Sequence, residues 1–264
     1  MTADDRVFEL ESTVTTWDDE YYHPLAEPLY DRAVHDMLAA MKVKPGATVL
    51  DAGCGPGVHS IRIAREGHRV CAADISEQML SHARERIAAA GLLDQVELKR
   101  EDLTKLSFAD ESFRHVFSWG VIIHIRDVEL ALNELARVVQ PGGTLGLYVI
   151  NRTALDHRIE PLARAFAGKP LERERNFELG EGAWYEMDGE KIWVWRFDVA
   201  ALSGYLANYG FELNHRHIGE FSEIQRRLGG LPRRALLRLN NAAYRAHLPA
   251  WLGVGNMLVF TKRQ

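Results

Sequence analysis

Three glycines and a carboxylate have the types and the spacing needed to bind a ligand. Gly53, Gly55 and Gly57 lie in the loop 51–57, which follows a short β-prone run and precedes a helical one. Glycines in that context let a ligand approach the backbone at the positive end of a helix. Asp74 ends the next apolar run, where a carboxylate can accept hydrogen bonds from both hydroxyls of a ribose.

A second carboxylate, Asp102, follows the third apolar run in Lys99-Arg100-Glu101-Asp102-Leu103. An acid there can accept from the exocyclic amine of an adenine, while a neighbouring backbone amide reaches a ring nitrogen. The glycine loop alone is weak evidence, because many loops are rich in glycine. Its position between a strand and a helix, followed by an acid at each of the next two strands, indicates a nucleoside-containing cofactor.

Short apolar runs alternate with amphipathic ones over residues 47–150 and position these groups. The pattern predicts strands at 47–51, 68–74, 96–99, 113–119 and 144–150. It predicts helices at 58–66, at 76–90 and from Asp127 to the run Pro141-Gly142-Gly143. Strands alternating with helices predict an α/β fold with a Rossmann-like, doubly wound and mostly parallel sheet, and its ligand at the carboxyl ends of the strands.

The remaining chain is less regular and divides into flanking regions. We expect an N-terminal lid and helix in residues 1–44, the cofactor-binding core in 45–150, and acceptor-covering insertions with the last strands in 151–264. Within the last region the pattern predicts a helix at 153–167, an aromatic hairpin at 183–197, a helix at 199–209, a strand at 211–218, an Arg-rich helix at 232–247 and a strand at 256–261.

Composition limits the classes of protein that fit. Hydrophobic residues make up 47% of the 264 residues, which is enough for a substantial core. The net charge of −5 disfavours a general nucleic-acid-binding role. Cys54 and Cys71 have no disulfide or zinc spacing, and no apolar run reaches the length of a membrane span. We therefore expect a cytoplasmic protein that carries no metal.

Four sequence runs resemble the ordered motifs of class I S-adenosylmethionine-dependent methyltransferases. They are VLDAGCGPG at 49–57, CAADIS at 71–76, EDLTKLSFADESFRHVFSWGVIIHI at 101–125 and LARVVQPGGTLGLYV at 135–149. They are most similar to the group containing ubiquinone- and menaquinone-biosynthesis methyltransferases. The likeness covers about residues 45–150 and, more loosely, the last strand. It implies a seven-stranded sheet whose last strand is antiparallel, and methyl transfer from S-adenosylmethionine to a small molecule.

The resemblance also implies roles for individual residues. Gly53 and Gly55 would pass under the methionine and ribose parts of the cofactor, and Asp51 would fix the loop and approach the methionine amine. Asp74 would hold the ribose, and Asp102 would bind the adenine amine. The remaining cofactor-binding residues would be Cys54, Ile75, Met79, Leu103 and Trp119, of which Ile75 and Leu103 sandwich the adenine and Trp119 lines the methyl region.

Four other interpretations remain open. A nicotinamide dehydrogenase also uses a glycine loop and a ribose acid, but the loop here lacks the third glycine at the dehydrogenase spacing. A Rossmann-like domain that had lost its ligand would leave the acids at Asp74 and Asp102 without a purpose. A non-catalytic S-adenosylmethionine-binding protein is the alternative outside the enzymes, and a peptide or protein acceptor is the alternative within them.

Two residues are candidates for positions near the transferred methyl group. His124 follows the fourth strand, where the family often has a histidine facing the site, and it is our candidate general base. The alternative is a histidine that only packs and bonds to the backbone. Tyr22 belongs to the aromatic segment 16–24, which would fold over the cofactor as a lid or else pack an N-terminal helix onto the core.

The acceptor is less well specified. Trp193, Trp195 and Phe197 share one face of a predicted strand, which would wall an aromatic acceptor or form core. No acidic residue follows Glu223, and the Arg-rich segment 226–247 would be a solvated helix, a site for an anionic acceptor or, less favoured, a membrane contact. His215 and His217 lack further ligands at metal spacing. We expect a small acceptor, aromatic or anionic in character, methylated on oxygen, nitrogen or carbon.

Overall fold

A computed structural model of the chain describes residues 14–15, 23–166, 174–176, 178–187 and 189–264. Its first half alternates strands and helices. They are α1 (Glu27–Ala40), β1 (Thr48–Ala52), α2 (Val58–Arg65), β2 (Arg69–Asp74), α3 (Glu77–Ala89), β3 (Val96–Arg100), β4 (Phe113–Trp119), α4 (Val128–Val138) and β5 (Val139–Ile150). A single 3₁₀ turn, Ile122–His124, follows β4. The alternation predicted from apolar periodicity is confirmed.

The second half adds two strands to the same sheet and forms a smaller sheet. The elements are α5 (Leu155–Phe166), β6 (Glu174–Asn176), β7 (Gly180–Met187), β8 (Glu190–Phe197), α6 (Val199–Ala207), β9 (Phe211–Ile218), α7 (Gly230–Arg245) and β10 (Gly255–Lys262). The main sheet has the order β3-β2-β1-β4-β5-β10-β9, and the small sheet has the order β6-β7-β8.

The main sheet is parallel from β3 to β5, and β10 runs antiparallel to both of its neighbours. The predicted seven-stranded, mostly parallel sheet with an antiparallel last strand is therefore confirmed. β1 lies between β2 and β4, so the order of the strands reverses at this point. A doubly wound sheet opens a crevice outside the carboxyl ends of its strands where the order reverses.

Close packing on the sheet depends on small residues at particular positions. A Cβ added at Gly146 in β5 would lie 2.7 Å from the sulfur of Met41 and 3.1 Å from that of Met37. Both methionines are fully buried, and Met37 belongs to α1. The glycine thus lets α1 pack directly on the central strands, and α1 in turn leads the chain into β1.

One boundary differs from the prediction. We expected Pro141-Gly142-Gly143 to end a helix and β5 to begin at Thr144, yet α4 ends at Val138 and β5 begins at Val139. Val139 already pairs with Phe113 of β4, and the register then shifts before His115 pairs with Thr144. The glycines form an irregularity inside the strand, with Gly142 at a φ of +71°, instead of a separate loop.

The small sheet is anchored to the segment that follows β4. The indole Nε1 of Trp195 donates to the carbonyl of Ile125 at 2.8 Å, and Nδ1 of His124 donates to the carbonyl of Trp193 at 2.9 Å. The residues of β8 are thereby held against the carboxyl end of β4. Across the described part of the chain, no helix combines the length and the apolar character needed to cross a membrane.

Candidate functional site

A cavity of about 660 Å³ lies at the carboxyl ends of the parallel strands. One group of lining residues comes from the loops after β1, β2 and β3, and we call it the glycine-loop half. A second group comes from the segment after β4 and from the insertions, and we call it the hairpin half. The glycine-loop half includes Gly53, Cys54, Gly55, Asp74, Ile75, Met79, Asp102, Leu103 and Thr104, and the hairpin half includes His124, Ile125, Arg126, Leu130, Tyr185, Ile192, Val194, Arg196, Glu223 and Arg226.

The glycine loop is held by main-chain hydrogen bonds. The N–H groups of Gly53 and Cys54 both donate to the carbonyl of Ala73, at 2.8 and 2.9 Å. Gly53 has a φ of +81°, and a Cβ there would lie 2.3 Å from Cγ1 of Val121. No other residue type fits without displacing the segment after β4, so the loop and that segment are positioned together.

Asp51 links the end of β1 to α2. Its carboxylate accepts a hydrogen bond from Ser60 Oγ of α2 at 2.5 Å, and the residue is 1% exposed. Burial, opposed in part by the Ser60 hydrogen bond, raises the pKa of Asp51 to about 7. Asp51 does not line the cavity. The two predicted roles of Asp51, fixing the glycine loop and approaching a methionine amine, stay predictions.

Asp74 links the loops after β1 and β2. Its Oδ2 accepts from the N–H of Gly55 at 2.8 Å, and its Oδ1 accepts from the N–H of Ser76 at 3.0 Å. Ser76 in turn caps α3 by accepting from the N–H of Met79. Asp74 is 9% exposed and lines the cavity. A carboxylate fixed by two amides is preorganised to accept further hydrogen bonds from hydroxyl groups.

Asp102 is an exposed carboxylate at the mouth of the same half. Its Oδ1 accepts from the N–H and the hydroxyl of Thr104, at 2.8 and 2.7 Å. Ile75, Met79 and Leu103 supply apolar lining in this half, and Met79 and Leu103 are buried. Burial raises the pKa of the Cys54 thiol well above its usual range, so this cysteine is an uncharged lining group. The structure thus brings all of the predicted cofactor residues from 53 to 103 to one cavity.

Trp119 ends β4 and lines the cavity within an aromatic cluster. Its ring stacks on Tyr148 with the centroids 4.3 Å apart, and the His59 ring lies 4.8 Å from it. The Tyr148 hydroxyl donates to Glu220 Oε2 at 3.0 Å, and the Tyr30 hydroxyl donates to Glu220 Oε1 at 3.0 Å. Within the described chain, Nε1 of Trp119 has no hydrogen-bond acceptor although it is buried.

His124 is oriented by the hairpin. Its Nδ1 donates to a carbonyl that can only accept, so in the neutral ring Nε2 carries the lone pair. Burial, opposed in part by that hydrogen bond, lowers the pKa of His124 to about 4. The ring is therefore neutral at physiological pH. It lines the cavity, as expected of a candidate base.

One face of β8 packs into the core and the other lines the cavity. The alternative that the aromatic face walls an acceptor was wrong. Trp193, Trp195 and Phe197 are at most 5% exposed and belong to the main hydrophobic core, so they do not wall an acceptor. The other face, Ile192, Val194 and Arg196, lines the cavity. Alternation along a strand distinguishes the two faces in the sequence, and of the two alternatives for the aromatic face the structure shows core.

The Arg-rich segment contributes one residue to the cavity. Arg226 lines it and contacts Glu220 at 3.1 Å and Glu223 at 3.7 Å. Although burial opposes ionisation, the hydrogen bond from His157 and the charge of Arg226 lower the pKa of Glu223 to about 2. Arg234, Arg238 and Arg245 of α7 are exposed and do not line the cavity. Of the segment 226–247, only Arg226 is therefore placed to contact an acceptor in this cavity.

Some predictions fall outside this site. Tyr22 and most of the predicted lid lie outside the described residues. His215 stacks on His217, whose Nε2 lies 2.7 Å from Nδ1 of His247. In the part of the chain that the structure describes, no group of three or more His, Cys, Asp or Glu is arranged to hold a metal ion. Tyr148, Glu220, Glu223 and Arg196 were not singled out from the sequence as site residues, because no local motif marks them.

Comparison with known proteins gives a consistent result for the first half of the chain. Residues 49–143 match a family model described as a methyltransferase domain. The methyltransferase GfsG of Streptomyces halstedii is 36% identical over 135 residues, which are 50% of this chain and 48% of that protein. A ubiquinone biosynthesis O-methyltransferase of Rhizobium etli is 38% identical over 108 residues, which are 41% of this chain and 43% of that protein.

These matches therefore span less than half the length of each of these relatives. A solved structure of similar fold covers more. The magnesium protoporphyrin IX methyltransferase (ChlM) of Synechocystis PCC 6803, with bound SAH, aligns over 97% of both chains with a TM-score of 0.64 and 17% identity. At that identity the likeness concerns the fold alone.

Proposed function

Because the chain belongs to the class I S-adenosylmethionine-dependent methyltransferase family, we propose that it transfers the cofactor's methyl group to a small-molecule acceptor. One observation carries the proposal: the glycine loop, Asp74, Asp102 and His124 all line a single cavity. S-adenosylmethionine is the cofactor of this family, and when bound it supplies an electrophilic methyl group on a sulfonium. The chain itself must bind and orient the two reactants and exclude water.

The residues of the glycine-loop half fit this cofactor. Two carboxylates at the ends of neighbouring strands match the hydroxyl and amine donors of an adenosine. Apolar side chains between them match the faces of an adenine ring, and Ile75 and Leu103 are the candidates. The buried Nε1 of Trp119 is a donor that a bound oxygen would satisfy. We assign Cys54, Gly53, Gly55 and Met79 to the same cofactor site by their place in the lining.

His124 is the residue that we propose as general base. Its Nδ1 proton is held by the Trp193 carbonyl, so Nε2 is the nitrogen that can accept a proton from an acceptor hydroxyl, amine or acidic carbon. With a pKa of about 4 the ring is neutral at working pH and needs no prior deprotonation. The same low pKa makes it a weak base, which suits an acceptor whose proton leaves as the new bond forms.

The division of the chain follows from this assignment. We propose that residues 45–150 form the cofactor-binding core, that 151–264 cover the acceptor and that 1–44 include a lid with Tyr22 near the methionine end. A ubiquinone O-methyltransferase among the relatives favours an oxygen acceptor. A peptide acceptor fits less well, because the side chains of the hairpin half line a single cavity of about 660 Å³. A non-catalytic S-adenosylmethionine sensor is the alternative that only turnover excludes.

Isothermal titration of the full chain with S-adenosylhomocysteine and, separately, with NADH tests the cofactor assignment. We expect saturable binding of the first and none of the second. Binding of NADH without any response to S-adenosylhomocysteine would show that the site binds a nicotinamide cofactor, as in a dehydrogenase.

The base is tested by His124→Gln, assayed for methyl transfer against a panel of phenols, amines and acidic carbon compounds. We expect turnover to fall by about 100-fold with S-adenosylhomocysteine affinity unchanged. His35→Gln, at an exposed position outside the cavity, is the matched control. Near-normal turnover of His124→Gln would remove His124 from the catalytic residues.

A further inference from the structure

The Arg-rich end of the chain carries charge that the proposed function does not use. Residues 224–264 contain eight Lys and Arg residues and no acidic residue, although the whole chain has a net charge of −5. Of the arginines in the segment 226–247, Arg226 lines the cavity, whereas those of α7 do not. A separate role is needed to account for the positive charge of α7.

One face of α7 is packed and the other is open to solvent. Leu237 and Tyr244 are buried on the packed face, and the Tyr244 hydroxyl donates to Asp36 Oδ2 of α1 at 2.7 Å. Spacings of three and four residues place a second group together on the opposite side of the helix, and all of its members are exposed. We call this group the open face of α7: Leu231, Arg234, Ala235, Arg238, Ala242 and Arg245.

Exposed apolar side chains are concentrated in the same part of the chain. Ten large hydrophobic side chains are exposed among the described residues, and four of them are Ile224, Leu228, Leu231 and Leu239. Leu231 is 78% exposed, the highest value in that group. Single exposed leucines are common on protein surfaces, but this cluster within and just before one helix indicates a surface that a partner covers.

The arginines of the open face have their charge available for an anionic partner. Arg227, before the helix, lies 3.9 Å from Glu160. In contrast, Arg234, Arg238 and Arg245 form no ion pair with the residues that the structure describes. A guanidinium without a carboxylate beside it can pair with phosphate oxygens, and its aliphatic stem can lie along an apolar surface.

We propose that the open face of α7, together with Ile224 and Leu228, docks on an anionic lipid bilayer. The leucines would enter the interface between headgroups and acyl chains, while the arginines pair with lipid phosphates. Arg226 lies between Ile224 and Leu228 in the chain and lines the cavity, so the docking surface begins beside the cavity. The proposal concerns binding to a surface and does not rest on methyl transfer.

Two other partners match this surface less well. A nucleic acid would pair with the arginines, but it offers no apolar surface for four aliphatic side chains, because interfaces with nucleic acids are more polar than those between proteins. A second copy of the chain would bring arginines against arginines, since a twofold interface uses the same patch on both subunits. An anionic bilayer uses both the positive charge and the apolar side chains.

Co-sedimentation of the full chain with vesicles tests the proposal. Phosphatidylcholine vesicles that contain about 30% phosphatidylglycerol are compared with vesicles of phosphatidylcholine alone. We expect binding to the anionic vesicles to be about tenfold tighter or more, and to weaken as the salt concentration rises from about 0.05 to about 0.5 M. Equal binding to both kinds of vesicle, or binding to neither, would overturn the proposal.

Two variants test which side chains are responsible. The combined substitution Arg234→Gln, Arg238→Gln and Arg245→Gln should weaken binding to anionic vesicles by about 100-fold, because each arginine near such a surface contributes about fivefold. Leu231→Gln should weaken it by about tenfold, since an inserted apolar side chain is lost. The affinity of both variants for S-adenosylhomocysteine should not change.

Matched controls carry the same substitutions elsewhere on the surface. Arg65→Gln, Arg69→Gln and Arg84→Gln, combined, change the net charge equally at exposed positions on other elements, and Leu93→Gln replaces another exposed leucine. Both controls should bind vesicles like the unmodified chain. Equal losses in the controls and in the variants of α7 would contradict a specific surface.

The same variants distinguish the other partners. Tighter binding to a DNA duplex than to anionic vesicles, unchanged by Leu231→Gln, would assign the surface to nucleic acid. Dimers of the unmodified chain that Leu231→Gln dissociates, as measured by light scattering, would assign it to a second copy. If the triple variant does not fold, as judged by circular dichroism, Leu231→Gln and the two vesicle compositions decide.

Discussion

The two halves of the cavity are built in different ways. In the glycine-loop half, main-chain groups and two carboxylates at strand ends form the surface, and Asp74 joins two loops through amides of Gly55 and Ser76. In the hairpin half, side chains from distant segments meet, as when Glu160 and Arg196 form a buried pair. A residue at a strand end is positioned by the strand that it ends. The side chains of the hairpin half are positioned by the packing of segments that are far apart in the chain. The first half therefore suits a constant ligand and the second a variable one.

Substitutions on the two faces of β8 should differ most in their effect on the free energy of unfolding, because one face is core and the other lines the cavity. Trp195→Ala should lower the free energy of unfolding by about 3–5 kcal/mol, because it removes a buried indole and its hydrogen bond to Ile125. Val194→Ala, one residue away on the half-buried cavity face, should cost about 1 kcal/mol. Urea denaturation compares the two. Equal losses would mean that the hairpin packs differently from the structure.

The raised pKa of Asp51, at the start of the glycine loop, predicts a pH dependence of the free energy of unfolding. Its folded pKa of about 7 exceeds the unfolded value of 3.8, so the folded state binds the proton more tightly. Stability from this group is present below about pH 4 and is lost as the pH rises to about 7. Asp51→Asn should therefore gain stability relative to the unmodified chain over this range, by at most about 4 kcal/mol.

Urea denaturation of both chains at several pH values gives that difference directly. The depressed histidine pKa values act in the same range but cancel between the two chains. Asp94→Asn, at an exposed position, serves as the control. A pH-independent difference between Asp51→Asn and the unmodified chain would show that Asp51 ionises normally.

A substitution at Asp74 tests whether the two halves of the cavity bind their ligands independently. Asp74→Asn removes a charge and places an amide where the Gly55 N–H donates, so we expect S-adenosylhomocysteine to bind about 100-fold more weakly. Binding of a small neutral aromatic probe, 4-phenyl-2-butanone, to the apolar lining of the hairpin half should not change. Titration calorimetry and NMR measure the two affinities. Parallel losses of both would indicate one undivided site.

Much of the glycine-loop half could be predicted from the sequence because its signals are local. A strand end, a glycine loop and an acid at the end of each following strand are read within a few residues, and Gly53, Asp74 and Asp102 all line the cavity. The alternation of strands and helices predicted the mostly parallel sheet for the same reason. The boundary of β5 was missed because Pro141 and two glycines usually mark a loop, whereas here they form an irregular part of a strand.

The hairpin half could not be predicted in this way, because its contacts join residues far apart in the chain. Arg196 pairs with Glu160, and Tyr148 donates to Glu220, 72 positions further on. Nothing near Glu220 in the sequence shows that two tyrosines and an arginine surround it. The three large aromatic side chains of β8 were compatible with either core or an acceptor wall, since core and pocket walls use the same residue types.

A crystal structure of the full chain with S-adenosylhomocysteine tests the proposed cofactor site most directly. We expect the ribose hydroxyls on Asp74, the adenine amine at Asp102 and the sulfur facing the part of the cavity lined by Trp119 and His124. Density for the ligand outside this cavity, or both carboxylates turned away from a bound adenosine, would contradict it.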